Sequence, residues 1–131
     1  MDYHRGTETI LVVDDEESLR NVVGDLLEQL GYNVLSAGGA DEAMTLAAGY
    51  SGKIDLLLSD VIMDPVPGPA LAALLTAVRP EMKVVFISGY ADDSLAPDRI
   101  LKPGAVLVHK PFTIKILSAK LREVLESRAA I

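Results

Sequence analysis

The stretch Ile10-Leu11-Val12-Val13-Asp14-Asp15-Glu16-Glu17 decides how the rest of the chain is read. Four apolar residues run without alternation and stop abruptly on acids. Such a run suits a strand covered on both faces, as in a parallel sheet, with its polar groups where strand gives way to loop. Four more runs repeat the theme: Val34-Leu35, Ile54 to Leu58, Val84 to Ile87, and Ala105 to Val108. Between them the period changes. Leu19, Val22, Val23, Leu26, Leu27 and Leu30 fall on one helical stripe that Gly31 closes. An alanine-rich segment from Asp41 to Ala48 ends at Gly49, and Leu71, Leu74, Leu75 and Val78 recur at helical spacing between Pro69 and Pro80. A weaker helical pattern over 92–101 contains Pro97. The last helix is expected from Thr113 to about Arg128, with Ile114, Leu117, Leu121, Val124 and Leu125 inward.

Strands alternating with helices predict an α/β fold with a parallel sheet and right-handed crossovers. Five strands suit a flavodoxin-like (βα)5 open sheet of order 2-1-3-4-5 and are too few for an eight-stranded barrel. Ligands of such sheets bind beyond the carboxyl ends of the strands, near the point where strand order reverses. That rule selects Asp14 and Asp15 after the first strand, Asp60 after the third, Ser88 at the end of the fourth and Lys110 after the fifth.

Composition narrows the function classes. The chain has 131 residues and a net charge of −7, with 19 acidic against 12 basic groups. That balance disfavours direct contact with nucleic acid or an anionic membrane, both of which draw on basic patches. The absence of cysteine excludes disulfides and thiolate metal sites. No apolar run approaches the ~20 residues needed to span a bilayer, and the N-terminal residues carry no secretory pattern. We expect one domain over residues 9–128, tails at 1–8 and 129–131, and a cytoplasmic location.

Each strand-end residue has an ordinary reading by itself. Asp14 and Asp15 could cap a helix and charge its first turn, Asp60 could cap a loop, and Ser88 before Gly89 could mark a turn. Lys110 could be solvated, and His109, pointing opposite to Lys110 on a strand, reads as a packing or surface residue. Their joint placement at four strand ends has a different logic. Three carboxylates brought together repel unless a cation joins them. A hard divalent ion with oxygen ligands, chiefly Mg2+, suits such a cluster. A hydroxyl and a lysine beside it suit the oxygens of a phosphoryl group, and one carboxylate can serve as nucleophile to give an aspartyl phosphate.

Over residues 8–127 the chain resembles the receiver domain of two-component signalling, the response-regulator type. The resemblance rests on Ile10 to Glu16, on Leu58-Ser59-Asp60-Val61-Ile62-Met63 with Gly68, on Ile87-Ser88-Gly89-Tyr90 and on His109-Lys110-Pro111-Phe112. It implies that Asp14, Asp15, Asp60 and the main-chain carbonyl of Ile62 hold Mg2+, with Mn2+ as a possible substitute. It implies too that Asp60 accepts a phosphoryl group from the phosphohistidine of a histidine kinase or a histidine phosphotransfer domain. Ser88 and Lys110 then follow the phosphoryl oxygens, and the Lys110–Pro111 bond is cis. A domain of this kind is a phosphoryl acceptor that joins in its own dephosphorylation rather than an enzyme in its own right. Its downstream partner is not readable from the sequence.

Two departures stand out. Leu107 occupies the place of the family's switch aromatic, and Asp64 interrupts the usual Met-Pro pair. Ile62 and Tyr90, at the variable positions beside the site, predict a slowly hydrolysed phosphoryl group. Gly6-Thr7-Glu8-Thr9-Ile10, Ser88 to Asp93 and the Lys-Pro-Phe close are similar to receivers of hybrid sensor histidine kinases. The alternative parentage is a stand-alone single-domain response regulator. A haloacid-dehalogenase-type phosphohydrolase would need two aspartates separated by one residue, whereas Asp14 and Asp15 are adjacent. A flavin-binding module would meet repulsion between phosphate and Asp14 to Glu17, and a phosphorylation-independent scaffold would have no use for the acid, hydroxyl and lysine set.

Overall fold

The largely β-branched run from Thr9 to Val13 forms strand β1, and its alternation sorts two hydrophobic cores. Residues 4–89 and 106–127 are described by the computed structural model. From β1 the described elements follow as α1 (Glu17–Gln29), β2 (Asn33–Ala37), α2 (Ala40–Gly49) and β3 (Leu56–Asp60). Next come α3 (Gly68–Val78), β4 (Lys83–Ser88), β5 (Val106–His109) and α4 (Ile114–Glu126). The strands form one parallel sheet of order β2-β1-β3-β4-β5, as the sequence predicted.

Successive side chains of a strand point to opposite faces. Leu11, Val13, Leu57 and Phe86 therefore pack with Ala43 and Ala47 of α2 and Leu71 and Leu75 of α3. Ile10, Val12, Leu58, Val85 and Ile87 pack with Val23 and Leu27 of α1 and Leu117 and Leu121 of α4. Covering both faces explains why β1 and β3 are buried at every position and read as continuous apolar runs. Among the described residues no helix is long and apolar enough to cross a membrane. The helical pattern expected over 92–101 lies outside the described residues, as does Tyr90.

Two details correct the expected helices. Val22, Leu74 and Val78, placed on inward stripes, are exposed at 54%, 51% and 67%. The inward face of α3 is instead Gly68, Leu71, Ala72 and Leu75, because α3 begins at Gly68, with Pro67 as its N-cap and Pro69 in its first turn. α4 opens on Thr113 as expected, whose hydroxyl accepts the Ile116 N–H at 3.1 Å.

Residues 5–8, within the expected tail, bond to α1 and α4. The Gly6 N–H donates to the Leu30 carbonyl at 3.1 Å, and the Arg5 guanidinium to the Gln29 carbonyl at 3.3 Å. Glu8 takes a two-pronged bond from Arg122 of α4, Nη1 to Oε1 at 2.7 Å and Nη2 to Oε2 at 3.0 Å. Fork-to-fork pairing of this kind fixes orientation as well as proximity. At the start of β4, the Lys83 ammonium reaches across to the end of α4. It donates to the carbonyls of Val124 at 3.0 Å and Leu125 at 3.4 Å, and to Ser127.

Candidate functional site

Because the sheet is parallel, the carboxyl ends of β1, β3, β4 and β5 open on one edge, and their terminal residues meet there. The ladder between β1 and β2 extends one step beyond Val13, with the Asp14 N–H donating to the Ala37 carbonyl at 3.2 Å. Asp14 then turns the chain into α1. Its Oδ1 accepts the Glu16 N–H at 2.8 Å, which fixes the carboxylate in a buried position, while Asp15 stays exposed. Asp60 is the last residue of β3, paired in register with Ile87, and is also buried. One carboxylate oxygen from each of Asp14, Asp15 and Asp60 lies within 4.8 Å of the others.

The β4–β5 register aligns Ser88 with His109, and the Lys110 N–H donates to the Ser88 carbonyl at 2.7 Å. Lys110 is thereby held beside Ser88, with its ammonium 3.5 Å from Asp60 Oδ2. That separation makes an ion pair rather than a close hydrogen bond. The Lys110–Pro111 bond is cis, as the sequence predicted, and so is Asp64–Pro65, which the sequence did not suggest. Ser88 is fully buried, and His109 is exposed. Ile62, two residues past Asp60, donates its N–H to Asp60 Oδ1 at 3.3 Å.

Electrostatics follow from this crowding. Burial pushes the Asp60 carboxyl up from 3.8 to about 6; the Lys110 ammonium opposes the rise, and Asp14 adds to it. Asp14 is also raised, mainly by burial, against the pull of the Glu16 N–H. Three close carboxylates, two of them buried, therefore carry charge at a cost. An all-oxygen donor set in that state fits a hard divalent cation such as Mg2+.

Three residues near the acids were not singled out for roles from sequence. Arg20 of α1 donates from Nη1 to the Asp14 carbonyl at 2.8 Å. Ser59, fully buried, donates its hydroxyl to the Asp60 carbonyl at 3.0 Å. Gly68 lies so close that a Cβ there would sit 2.0 Å from the same carbonyl oxygen. A lone serine within an apolar strand is a visible signal for Ser59. Arg20, six residues beyond Asp14, gives none beyond a charge in the first helical turn.

Comparison with known proteins gives a consistent result. Residues 10–122 match the family model described as the response regulator receiver domain. The sensor kinase CckA of Brucella abortus is 33% identical over 94% of this chain, which spans 13% of that protein. The response regulator receiver protein CpdR of the same organism is 29% identical over 88% of this chain and 95% of its own length. Among solved structures, the receiver domain of hybrid histidine kinase CckA superimposes with a TM-score of 0.75 at 34% identity, covering 90% of this chain and 99% of that one. A receiver domain protein from Clostridium thermocellum gives 0.78 at 28% identity over 90% and 94% of the two chains. With the family model spanning all five strands, the chain belongs to the response regulator receiver domains of two-component systems.

Proposed function

We propose that Asp60 is the residue of this receiver that accepts a phosphoryl group, from the phosphohistidine of a histidine kinase or a histidine phosphotransfer domain. The observation that carries the reading is the convergence of Asp14, Asp15 and Asp60, with the Lys110 ammonium 3.5 Å from Asp60 Oδ2. The carboxylates of Asp14, Asp15 and Asp60 and the main-chain carbonyl of Ile62 would hold Mg2+, or Mn2+ in its place. Bound there, the cation would offset the repulsion of the acids and the negative charge gathering on the phosphoryl oxygens.

The chain's own groups supply the rest. Asp60, with a carboxyl near 6, is largely ionised at neutral pH and has a free electron pair for attack. As the bond from Asp60 to phosphorus forms, the phosphorus–nitrogen bond of the donor breaks and its electron pair returns to the imidazole. Lys110 supplies positive charge beside the acceptor oxygen, and the Ser88 hydroxyl supplies a donor for a phosphoryl oxygen. Moving Ser88 toward that oxygen displaces the end of β4, so the phosphoryl group biases a surface that a partner reads. With Leu107 on β5, that bias does not pass through an aromatic gate.

The reading makes the domain a phosphoryl acceptor that joins in its own dephosphorylation, acting in the cytoplasm without direct contact to nucleic acid or membrane. Its kinship to the sensor kinase CckA supports a place in a hybrid sensor histidine kinase. Its similarity to CpdR, a response regulator receiver protein, supports the second reading, a single-domain response regulator. Incubation with Mg2+ and acetyl phosphate is expected to give a base-labile adduct that Asp60→Asn abolishes. Sustained phosphate release over many turnovers would favour a phosphohydrolase, and no adduct would favour a scaffold.

A further inference from the structure

Arg20 places a positive charge close to a site whose chemistry calls for a cation, an arrangement that electrostatics alone disfavours. Its side chain is largely buried, at 17% exposed. Its carboxylate neighbour Glu17 lies 3.8 Å away and is 80% exposed, so that pair is weak and screened. The short bond goes to a neutral acceptor, the Asp14 carbonyl at 2.8 Å. Arg122 shows the contrast: it spends its guanidinium on the Glu8 carboxylate.

The bond to Arg20 completes the fixing of Asp14. The N–H of Asp14 is held by the Ala37 carbonyl, its Oδ1 by the Glu16 N–H, and its carbonyl by Arg20. With the main chain held on both sides and one carboxylate oxygen accepting the Glu16 N–H, the orientation of the Asp14 carboxylate is fixed. Gly38 at the end of β2 leaves room for this arm, since a Cβ there would stand 3.0 Å from Arg20 Nη1.

We infer that Arg20 is a positioning residue of the cation site, holding the Asp14 main chain so that its carboxylate meets those of Asp15 and Asp60. The inference rests on those three acids binding Mg2+. Positioning and charge predict opposite signs, which makes the test decisive. Arg20→Met keeps most of the side-chain bulk and removes both the charge and the donors. A charge effect alone would tighten Mg2+ binding; loss of positioning weakens it by about tenfold, as for other outer-shell partners of ligands.

The experiment is calorimetric titration of the wild type, Arg20→Met and Arg20→Lys with MgCl2, alongside thermal unfolding in EDTA. Expected are a raised Kd with unchanged stoichiometry in Arg20→Met, and recovery to within a few-fold in Arg20→Lys, which keeps a donor. Equal or tighter binding in Arg20→Met overturns the inference. So does a fall in stoichiometry at unchanged Kd, which marks a misfolded fraction. No binding by the wild type overturns the cation site itself and this inference with it, whereas wild-type binding that Arg20→Met leaves intact overturns this inference alone.

Discussion

Replacing Asp60 by asparagine probes the electrostatics of the site before any ligand is added. The folded-state carboxyl is raised from 3.8 to about 6, so the native state holds its proton more tightly than the unfolded chain does. Stability from this group is complete below the ordinary carboxylate range and is lost as pH rises through about 6. A rise of that size corresponds to at most about 3 kcal/mol at neutral pH, and access of water to the edge of the sheet lowers it to about 1–3 kcal/mol. Asparagine resembles the protonated acid in shape and charge. In EDTA, Asp60→Asn should therefore be more stable than the wild type by about 1–3 kcal/mol at pH 7.5, and the two should converge near pH 4. Urea unfolding followed by circular dichroism from pH 4 to 8 measures the difference, and subtracting the two curves removes the other titrating groups. Saturating Mg2+ should shrink or reverse the gap by stabilising the wild type. A gap that stays constant with pH, or a less stable Asp60→Asn at pH 7.5, would refute the reasoning.

Gly68→Ala forces a methyl group to within contact of the Asp60 carbonyl, where the backbone must yield. A loss of about 1–3 kcal/mol in urea unfolding is expected, with slower adduct formation from acetyl phosphate. Arg122 holds the Glu8 carboxyl below its ordinary range, so this pair stabilises the fold above that range and fades as pH falls through the lowered value. Glu8→Gln should cost about 1 kcal/mol at pH 7 and progressively less as pH falls below the ordinary carboxylate range, read by the same unfolding assay. Ile62 stands exposed two residues past Asp60. Ile62→Asn should shorten the half-life of the base-labile adduct by about tenfold, equivalent to about 1.4 kcal/mol of barrier; an unchanged half-life would sink the idea that bulk there excludes water.

The strand ends were legible because β1, β3 and β4 each stop an apolar run on a polar residue, and the parallel order then forces those residues onto one edge. Helix faces were less legible. Periodicity shows that Leu71, Leu74, Leu75 and Val78 share a broad stripe, but not which flank of it the sheet covers. The packing of Gly68 against Asp60 turns α3 so that Leu74 and Val78 face outward. Contacts between distant segments left no local trace: Glu8 meets Arg122 across 114 positions of sequence. Arg20 escaped notice for another reason, since its partner is a backbone carbonyl, which every residue possesses.

The reach of Lys83 gives β4 a mechanical character. The strand is six residues long, about 20 Å from end to end. Ser88 sits at one end, and at the other the Lys83 ammonium grips the last turn of α4. A member fastened at both ends is a tie rod: displacement of Ser88 along the strand axis is resisted by the hold of Lys83 on α4's last turn. The stiffness of the site is then set partly on the opposite edge of the domain. A protein that clasped the end of α4 would hold Ser88 in place without touching it, and by the reciprocity of linked equilibria a displaced Ser88 would loosen that clasp by the same free energy.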